Sequence, residues 1–364
     1  MVQPHLVEKG LSARFQAPPG FGKTHMLKRR AVEHKGASHT QQMVALCHMA
    51  VRNLGNTAMA SHAFCHRHAH HGTCKGWVLL DEVSHIPLAL ANCLEQLNNA
   101  GTKSVCFGDE LQRQPVEPEW RGKPKEPGAL MKSRLLNLWC DCTCFVLTHD
   151  WCSTDKTFAD WFSQAKHTDR EIAIADALAK CPAEPGPADW NLCLSHHRRS
   201  LINAASQKLA AQTHRESFPD GLVVHLVPPN TEREGANTAQ AFDIFQGTGL
   251  IGCNTDQPIV HGALIMVTRI TAESVWVRNE ETQHTSELTH AGVMCHTRLR
   301  HAITIAASQS NTLEGVVRVW DVHSRQVVTT HLCVACSRCS EPEYLQVMSE
   351  DGLATKKRLR CQTM

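Results

Sequence analysis

Gln16-Ala17-Pro18-Pro19-Gly20-Phe21-Gly22-Lys23-Thr24-His25 is the stretch whose reading sets the fold. It has the order of a phosphate-binding loop. Pro19, Gly20, Phe21 and Gly22 make a turn that aims backbone N–H groups inward. Lys23 reaches toward β- and γ-phosphates, and the Thr24 hydroxyl is placed to hold Mg²⁺. A short strand is expected before it at 13–16. A helix is expected after it at 24–35, with its positive end toward the phosphates. The pattern asks for glycine where the chain has Ala17. The implied ligand is a nucleoside triphosphate.

Triphosphate hydrolysis also needs a carboxylate for the metal and a group that orients water. Trp77-Val78-Leu79-Leu80-Asp81-Glu82 supplies both at the end of an apolar strand, with Asp81 at the Mg²⁺ and Glu82 at the water. A third strand runs into Gly108-Asp109-Glu110-Leu111-Gln112, where Gln112 would sense the γ-phosphate. Helical spacing at 88–97 separates the second and third strands. Strands alternating with helices predict βαβ units and a parallel sheet, an α/β fold. The later half reads as a helix at 201–211 and strands at 222–227, 262–267, 274–277 and 316–320. A further strand is expected at 331–335.

At 364 residues the chain is long enough for two domains. A formal net charge of +2 means that it is no polycation, although a local groove can still be basic. No apolar run approaches membrane-spanning length and no signal peptide is visible, so an intracellular, reducing setting without membrane contact is expected. There the 17 cysteines, an odd number, would be mostly thiols.

Taken in order, these strings resemble superfamily 1 DNA helicases of the RecD-like branch, including forms from large DNA viruses. Gly108 to Pro115 is similar to the family's GD-x-x-Q-x-x-P element. The stretch from Ala302 through Gln309 to Leu313 looks like its T-x-x-x-x-Q-G-x-T element, and Cys333-Val334-Ala335-Cys336-Ser337-Arg338 looks like its Y-V-A-L-S-R element. The resemblance implies two RecA-like P-loop NTPase domains, at 1–148 and 149–364, with ATP in the cleft and a small β-barrel-like insertion at about 262–297. It implies an ATP- and Mg²⁺-dependent helicase on single-stranded or forked DNA with 5′ to 3′ polarity. It also makes Glu82, Gln112 and Arg338 catalytic, with Arg338 as the cation for the γ-phosphate, and gives His48, Ser61, His62, Thr304 and Ser308 contacts to DNA.

The chain departs from the pattern at Ala17, at Cys152 in place of a phosphate-contacting arginine, at Ser310 in place of glycine, and at Cys333 and Cys336. No adenine-reading glutamine motif is recognisable. Weakened turnover with nucleotide and DNA binding retained is therefore one alternative. The other is a zinc-stabilised interaction protein, because Cys333, Cys336 and Cys339, the group from Cys65 to Cys74, and the Cys140, Cys142 and Cys144 series have metal-like spacing. The last series is expected on one face of a strand. Strand-tracking grooves discriminate DNA from RNA weakly, so RNA stays open as a substrate.

Overall fold

The computed structural model describes residues 11–17, 21–36, 40–45, 48–55, 58–69, 74, 76–85, 88–109, 133–148, 155–165, 167–228, 240–253, 259–309, 313–339 and 341–349. The chain forms two compact units, Met1–Lys166 and His167–Met364.

In the first unit the strands are β1 Ala13–Gln16, β2 Gln41–Ala45, β3 Ala58–Ala60, β4 Trp77–Leu80, β5 Lys103–Gly108 and β6 Cys144–Val146. Among them run helices α1 Lys23–Gly36, α2 His48–Leu54, α3 Ser61–Phe64, α4 Leu88–Asn99, α5 Arg134–Trp139 and α6 Lys156–Ala165. Helix α6 thus falls in the first unit, across the boundary from where the sequence reading put it. The described strands form one sheet in the order β3-β2-β4-β5-β1-β6, and every pairing is parallel.

Strand alternation sorts the side chains of that sheet onto two cores. Val78, Leu80 and Cys106 pack with Leu94 and Leu97 of α4 and Leu136 and Trp139 of α5. Trp77, Leu79, Phe15, Val105 and Phe107 pack on the other face with Leu27 and Ala31 of α1. Phe15 stacks between Phe107 at 4.8 Å and Phe145 at 5.2 Å. A parallel sheet covered on both faces has nearly unbroken apolar central strands, which is why β4 is buried along its whole length.

The second unit adds β7 Trp190–Cys193, β8 Val224–Leu226, β9 Phe242–Ile244, β10 Gly249–Gly252, β11 Leu264–Ile270, β12 Ser274–Asn279, β13 Thr285–Thr289, β14 Thr297–Leu299, β15 Ala302–Thr304, β16 Val317–Val319 and β17 Leu345–Val347. Its helices are α7 Arg170–Lys180, α8 His196–Ser217, α9 His290–His296 and α10 Thr329–Cys336. A parallel sheet in the order β15-β7-β16-β17 is its α/β part. A second, antiparallel sheet in the order β13-β12-β11-β10-β14 closes around Leu250, Ile265, Val267, Val275, Val277, Leu288 and Leu299. It occupies the region expected to hold the small β insertion, starting at Gly249.

Two expectations are corrected. The stretch 331–335 is not a strand but the body of α10, buried at every residue from His331 to Cys336. A short apolar run cannot be told from a fully buried helix by periodicity. The cysteine series at 140–144 is not one strand face. Cys140 ends α5, Asp141 and Cys142 take positive φ, and Cys144 alone belongs to β6. Among the described residues, no helix is long and apolar enough to cross a membrane.

Candidate nucleotide site

The phosphate-loop string leaves the middle of the first sheet. Gln16 is aligned with Gly108 of β5, and Leu80 of β4 with Cys106 of β5. In a parallel sheet this register delivers the residues after β1, β4 and β5 to the same edge. Ala17 N donates to Gly108 O at 3.2 Å, and Leu147 N donates to Gln16 O at 2.9 Å, so the entry to the loop is held on both sides. Gly22 has φ +75°, a conformation that glycine adopts without steric cost. Its carbonyl accepts from Met26 N at 2.8 Å, inside the first turn of α1. Pro19 and Gly20 lie outside the described residues; Phe21 is partly buried against the core.

Lys23 is 7% exposed. Its Nζ donates to Ala17 O at 2.9 Å, so the ammonium is held at the residue that follows β1. The Thr24 hydroxyl donates to Asp81 Oδ2 at 3.0 Å, across 57 residues of sequence. Asp81 is 3% exposed, and its Oδ1 accepts from Glu82 N at 3.1 Å. Burial, and then the neighbouring Glu82 charge, push the Asp81 carboxyl up to about 7, against the Thr24 hydrogen bond and the Lys23 charge. The lysine charge therefore acts on the same carboxylate that the threonine touches.

Glu82 has two unusual features. Its φ is +55°, a left-handed conformation uncommon outside glycine. Its Oε2 is buried without a hydrogen-bond partner. A buried carboxylate oxygen left unsatisfied is costly, and a strained backbone persists only where the surroundings over-determine it. The sequence string identified Glu82 but not this conformation. Sequence reading also missed Ser84, 1% exposed, whose Oγ accepts from Asp109 N at 3.5 Å and so links the exits of β4 and β5. Gln112 lies outside the described residues.

In the second unit the strings at 302–313 and 333–338 come together. Arg338, 7% exposed, donates from Nε to Val334 O at 3.0 Å, from Nη1 to Ser308 O at 3.4 Å and from Nη2 to Ser337 Oγ at 2.7 Å. Leu313 N donates to Arg338 O at 2.9 Å. Thr304 and Ser308 are buried in the same turn. Thr304 Oγ1 accepts from Ala307 N at 3.2 Å, and Ser308 Oγ donates to Ile305 O at 2.8 Å. Both hydroxyls thus shape the turn.

The remaining candidates for DNA contact are in the first unit. Ser61, 4% exposed, and His62, exposed, open α3. His48 opens α2, and its side chain is not among those described. Ser310 and Cys152 lie outside the described residues. Cys333 and Cys336 are on α10 with Cys339 just beyond it, and among the described residues no group of three or more His, Cys, Asp or Glu is arranged to hold a metal ion.

No protein-family model matches the chain, and no curated protein matches it by sequence. Solved structures do match. A structure of two coordinating Pif1 helicases, on DNA unwinding at forked double-stranded DNA, has a TM-score of 0.66 at 16% identity, covering 99% of this chain and 95% of that one. The Pif1 helicase from Candida albicans gives 0.63 at 15% identity, with 97% of each chain covered. The Pif1 helicase from Bacteroides in complex with ADP-AlF3 and single-stranded DNA gives 0.62 at 14%, covering 100% of this chain and 98% of that one. At these identities the likeness is one of fold, and it extends over the whole chain: each unit carries a parallel sheet, matching the two RecA-like α/β domains of Pif1 helicases.

Proposed function

We propose that this chain is an ATP-dependent motor on single-stranded DNA that couples hydrolysis to strand separation with 5′ to 3′ polarity. The observation that carries the reading is the 3.0 Å contact between Thr24 and Asp81, with Lys23 buried beside them. This is a phosphate-loop lysine and hydroxyl meeting a strand-end carboxylate, the three groups that triphosphate chemistry requires. Neighbours of the same fold include one in complex with ADP-AlF3 and single-stranded DNA and one concerned with unwinding of forked DNA.

In this reading the loop N–H groups and Lys23 bind the phosphates, and the Lys23 ammonium exchanges the Ala17 carbonyl for phosphate oxygens. Glu82 orients the attacking water and accepts its proton. The unpartnered Oε2 is a free acceptor for that purpose. A hydroxyl and a buried carboxylate are the hard oxygen donors that Mg²⁺ takes, so Thr24 and Asp81 would hold that ion. When bound, it would supply positive charge to the phosphates. Gln112 is assigned to sensing the γ-phosphate. Ser61, His62 and His48 are assigned to the strand.

The test is magnesium-dependent ATP binding with wild type and Lys23→Ala, followed by unwinding of duplexes bearing a 5′ or a 3′ tail. Lys23→Ala is expected to abolish nucleotide binding, and wild type to open the 5′-tailed duplex. Wild-type binding unaffected by Lys23→Ala would defeat the site assignment.

A second reading, nucleotide and DNA binding with little turnover, is favoured by one observation. The Arg338 guanidinium is engaged with Val334 and Ser337 in its own turn and with Ser308 of the same unit. Arg338→Lys separates the two readings. A fall in kcat at unchanged ATP affinity and unchanged melting temperature supports a role in turnover. A fall in melting temperature with kcat already negligible in wild type supports the structural role.

A further inference from the structure

Two cysteines of the second unit meet where β10 ends. Gly252 pairs with Thr297 across β10 and β14. The next residue, Cys253, donates its N–H to His296 O at 2.9 Å. Its Sγ donates to Cys295 O at 3.5 Å, although the two cysteines are 42 residues apart in sequence. Cys295 and His296 are the last two residues of α9. The end of β10 is also held from its other side. Gly252 N donates to Ala263 O at 2.9 Å, and Gly252 O accepts from Gly262 N at 2.8 Å. A Cβ at position 252 would lie 2.1 Å from Val260 O, so the backbone before Cys253 is clamped between 260–263 and 296–297.

Facing Cα atoms on antiparallel strands are about 4.5–5.5 Å apart, and a disulfide spans Cα separations of about 4.4–6.8 Å. By continuation of the β10–β14 register Cys253 faces His296, and its sulfur has turned to the residue before it. Both thiols are free; Cys295 is exposed and Cys253 partly buried. Burial holds the Cys253 thiol above its ordinary range. A thiol reacts as its thiolate and needs access, so Cys295 is the one that a reagent in solution meets first.

We infer that Cys253 and Cys295 form an oxidative modification site, a dithiol that a hydroperoxide converts into a disulfide tying the end of β10 to the end of α9. The Cys295 thiolate attacks the peroxide O–O bond. That bond breaks, water or an alcohol leaves, and Cys295 becomes a sulfenic acid. The Cys253 sulfur then attacks the Cys295 sulfur. The S–S bond forms, the S–O bond breaks, and the oxygen leaves as water with the proton that Cys253 gives up. Two electrons pass from the thiol pair to the peroxide. The product closes a covalent ring from 253 to 295 that contains β11, β12, β13 and α9, so oxidation staples the antiparallel sheet of the second unit.

The experiment treats the folded full chain with hydrogen peroxide, blocks the remaining thiols by alkylation, and maps peptides by mass spectrometry without reduction. Melting temperatures are measured before and after treatment, with wild type, Cys295→Ser, Cys253→Ser and, as a control, Cys142→Ser. Wild type and Cys142→Ser are expected to give a peptide pair joining Cys253 to Cys295. Their melting temperature is expected to rise by about 5 °C or more, and dithiothreitol to reverse both changes. Cys295→Ser alters an exposed side chain and keeps the fold, and it is expected to lose the crosslink and the rise. Cys253→Ser is expected to leave Cys295 as a sulfenic or sulfinic acid. Oxidised wild type in which Cys295 is joined to some other cysteine, or to none, would overturn the inference. So would a rise in melting temperature that persists in Cys295→Ser. A Cys253–Cys295 crosslink with no rise would overturn the staple.

Discussion

Glu82 holds φ +55° with one carboxylate oxygen unpaired, and both features cost stability in the protein at rest. Stability and activity should therefore respond in opposite directions at this residue. Glu82→Gly relieves the strain and removes the unsatisfied oxygen, so its melting temperature is expected to rise, by the equivalent of about 1–3 kcal/mol, while ATP turnover falls about a hundredfold or more. Glu82→Gln keeps the strain, and is expected to lose turnover without the gain in stability. Thermal melts beside steady-state ATPase rates check both. A Glu82→Gly protein melting below wild type would show that the carboxylate holds the turn together. At this scale the sequence disclosed identities better than states. Lys23, Thr24, Asp81 and Glu82 stand in short local strings, and chemistry names their roles. That Lys23 rests on Ala17 O, or that Thr304 and Ser308 are spent on a turn, depends on chain segments brought together by folding, which no local string encodes.

Helix α8 shows how one element couples buried polar groups to the stability of the second unit. Asn203, 2% exposed, satisfies both backbone groups of Ala302. Asn203→Ala would orphan a buried donor and a buried acceptor at about 1–3 kcal/mol each, so a loss of roughly 2–6 kcal/mol is expected in urea unfolding. One turn later, Gln207 donates to Asp243 O at 2.6 Å, and its Oε1 lies 2.7 Å from His301 Nε2. An acceptor facing that nitrogen fixes it as the N–H donor of a neutral ring. Burial, and then the Arg300 charge, hold the His301 ring below its ordinary range. Such a group binds fewer protons folded than unfolded, so its stabilisation is full above about pH 6.5 and is lost as pH falls toward the lowered value. The urea midpoint is expected to fall between pH 7 and pH 5, and His301→Gln to flatten that fall; an unchanged slope would remove His301 as the cause. Asn203 and Gln207 lie on a stretch that reads as helix from sequence, yet their partners on β9 and β15 could not be read there. Helix α10 was misread for a related reason. Its apolar residues are buried on all sides, so the period that marks an amphipathic helix is absent.

At the scale of the whole molecule, the alternating order of strands and helices in the first half was legible because each βαβ unit is local, and a parallel sheet follows from it. The antiparallel sheet of the second unit was legible only in part, since β10 and β14 meet with β11, β12, β13 and α9 between them in sequence, at pairs such as Gly252 with Thr297. The unusual cysteine content also changes meaning once the fold is known. Eight described cysteines are buried, at positions 74, 106, 140, 181, 193, 333, 336 and 339, whereas Cys142, Cys144 and Cys295 are exposed. Burial pushes the Cys181 thiol up to about 11 and the Cys339 thiol to about 12, so neither is a thiolate at neutral pH. A thiol reacts through its thiolate and needs access. Titration with an aromatic disulfide reagent at pH 7.5 is therefore expected to be biphasic. The fast phase should include Cys142, Cys144 and Cys295, and the buried set should react only as the fold opens, on the timescale of unfolding. Alanine replacement of the three exposed residues should shrink the fast amplitude and leave the melting temperature within about 1 °C of wild type, since exposed positions away from caps and cores contribute little to stability. A fast phase that already includes the buried thiols would mean that the cores around α5, α7 and α10 open readily in the native protein.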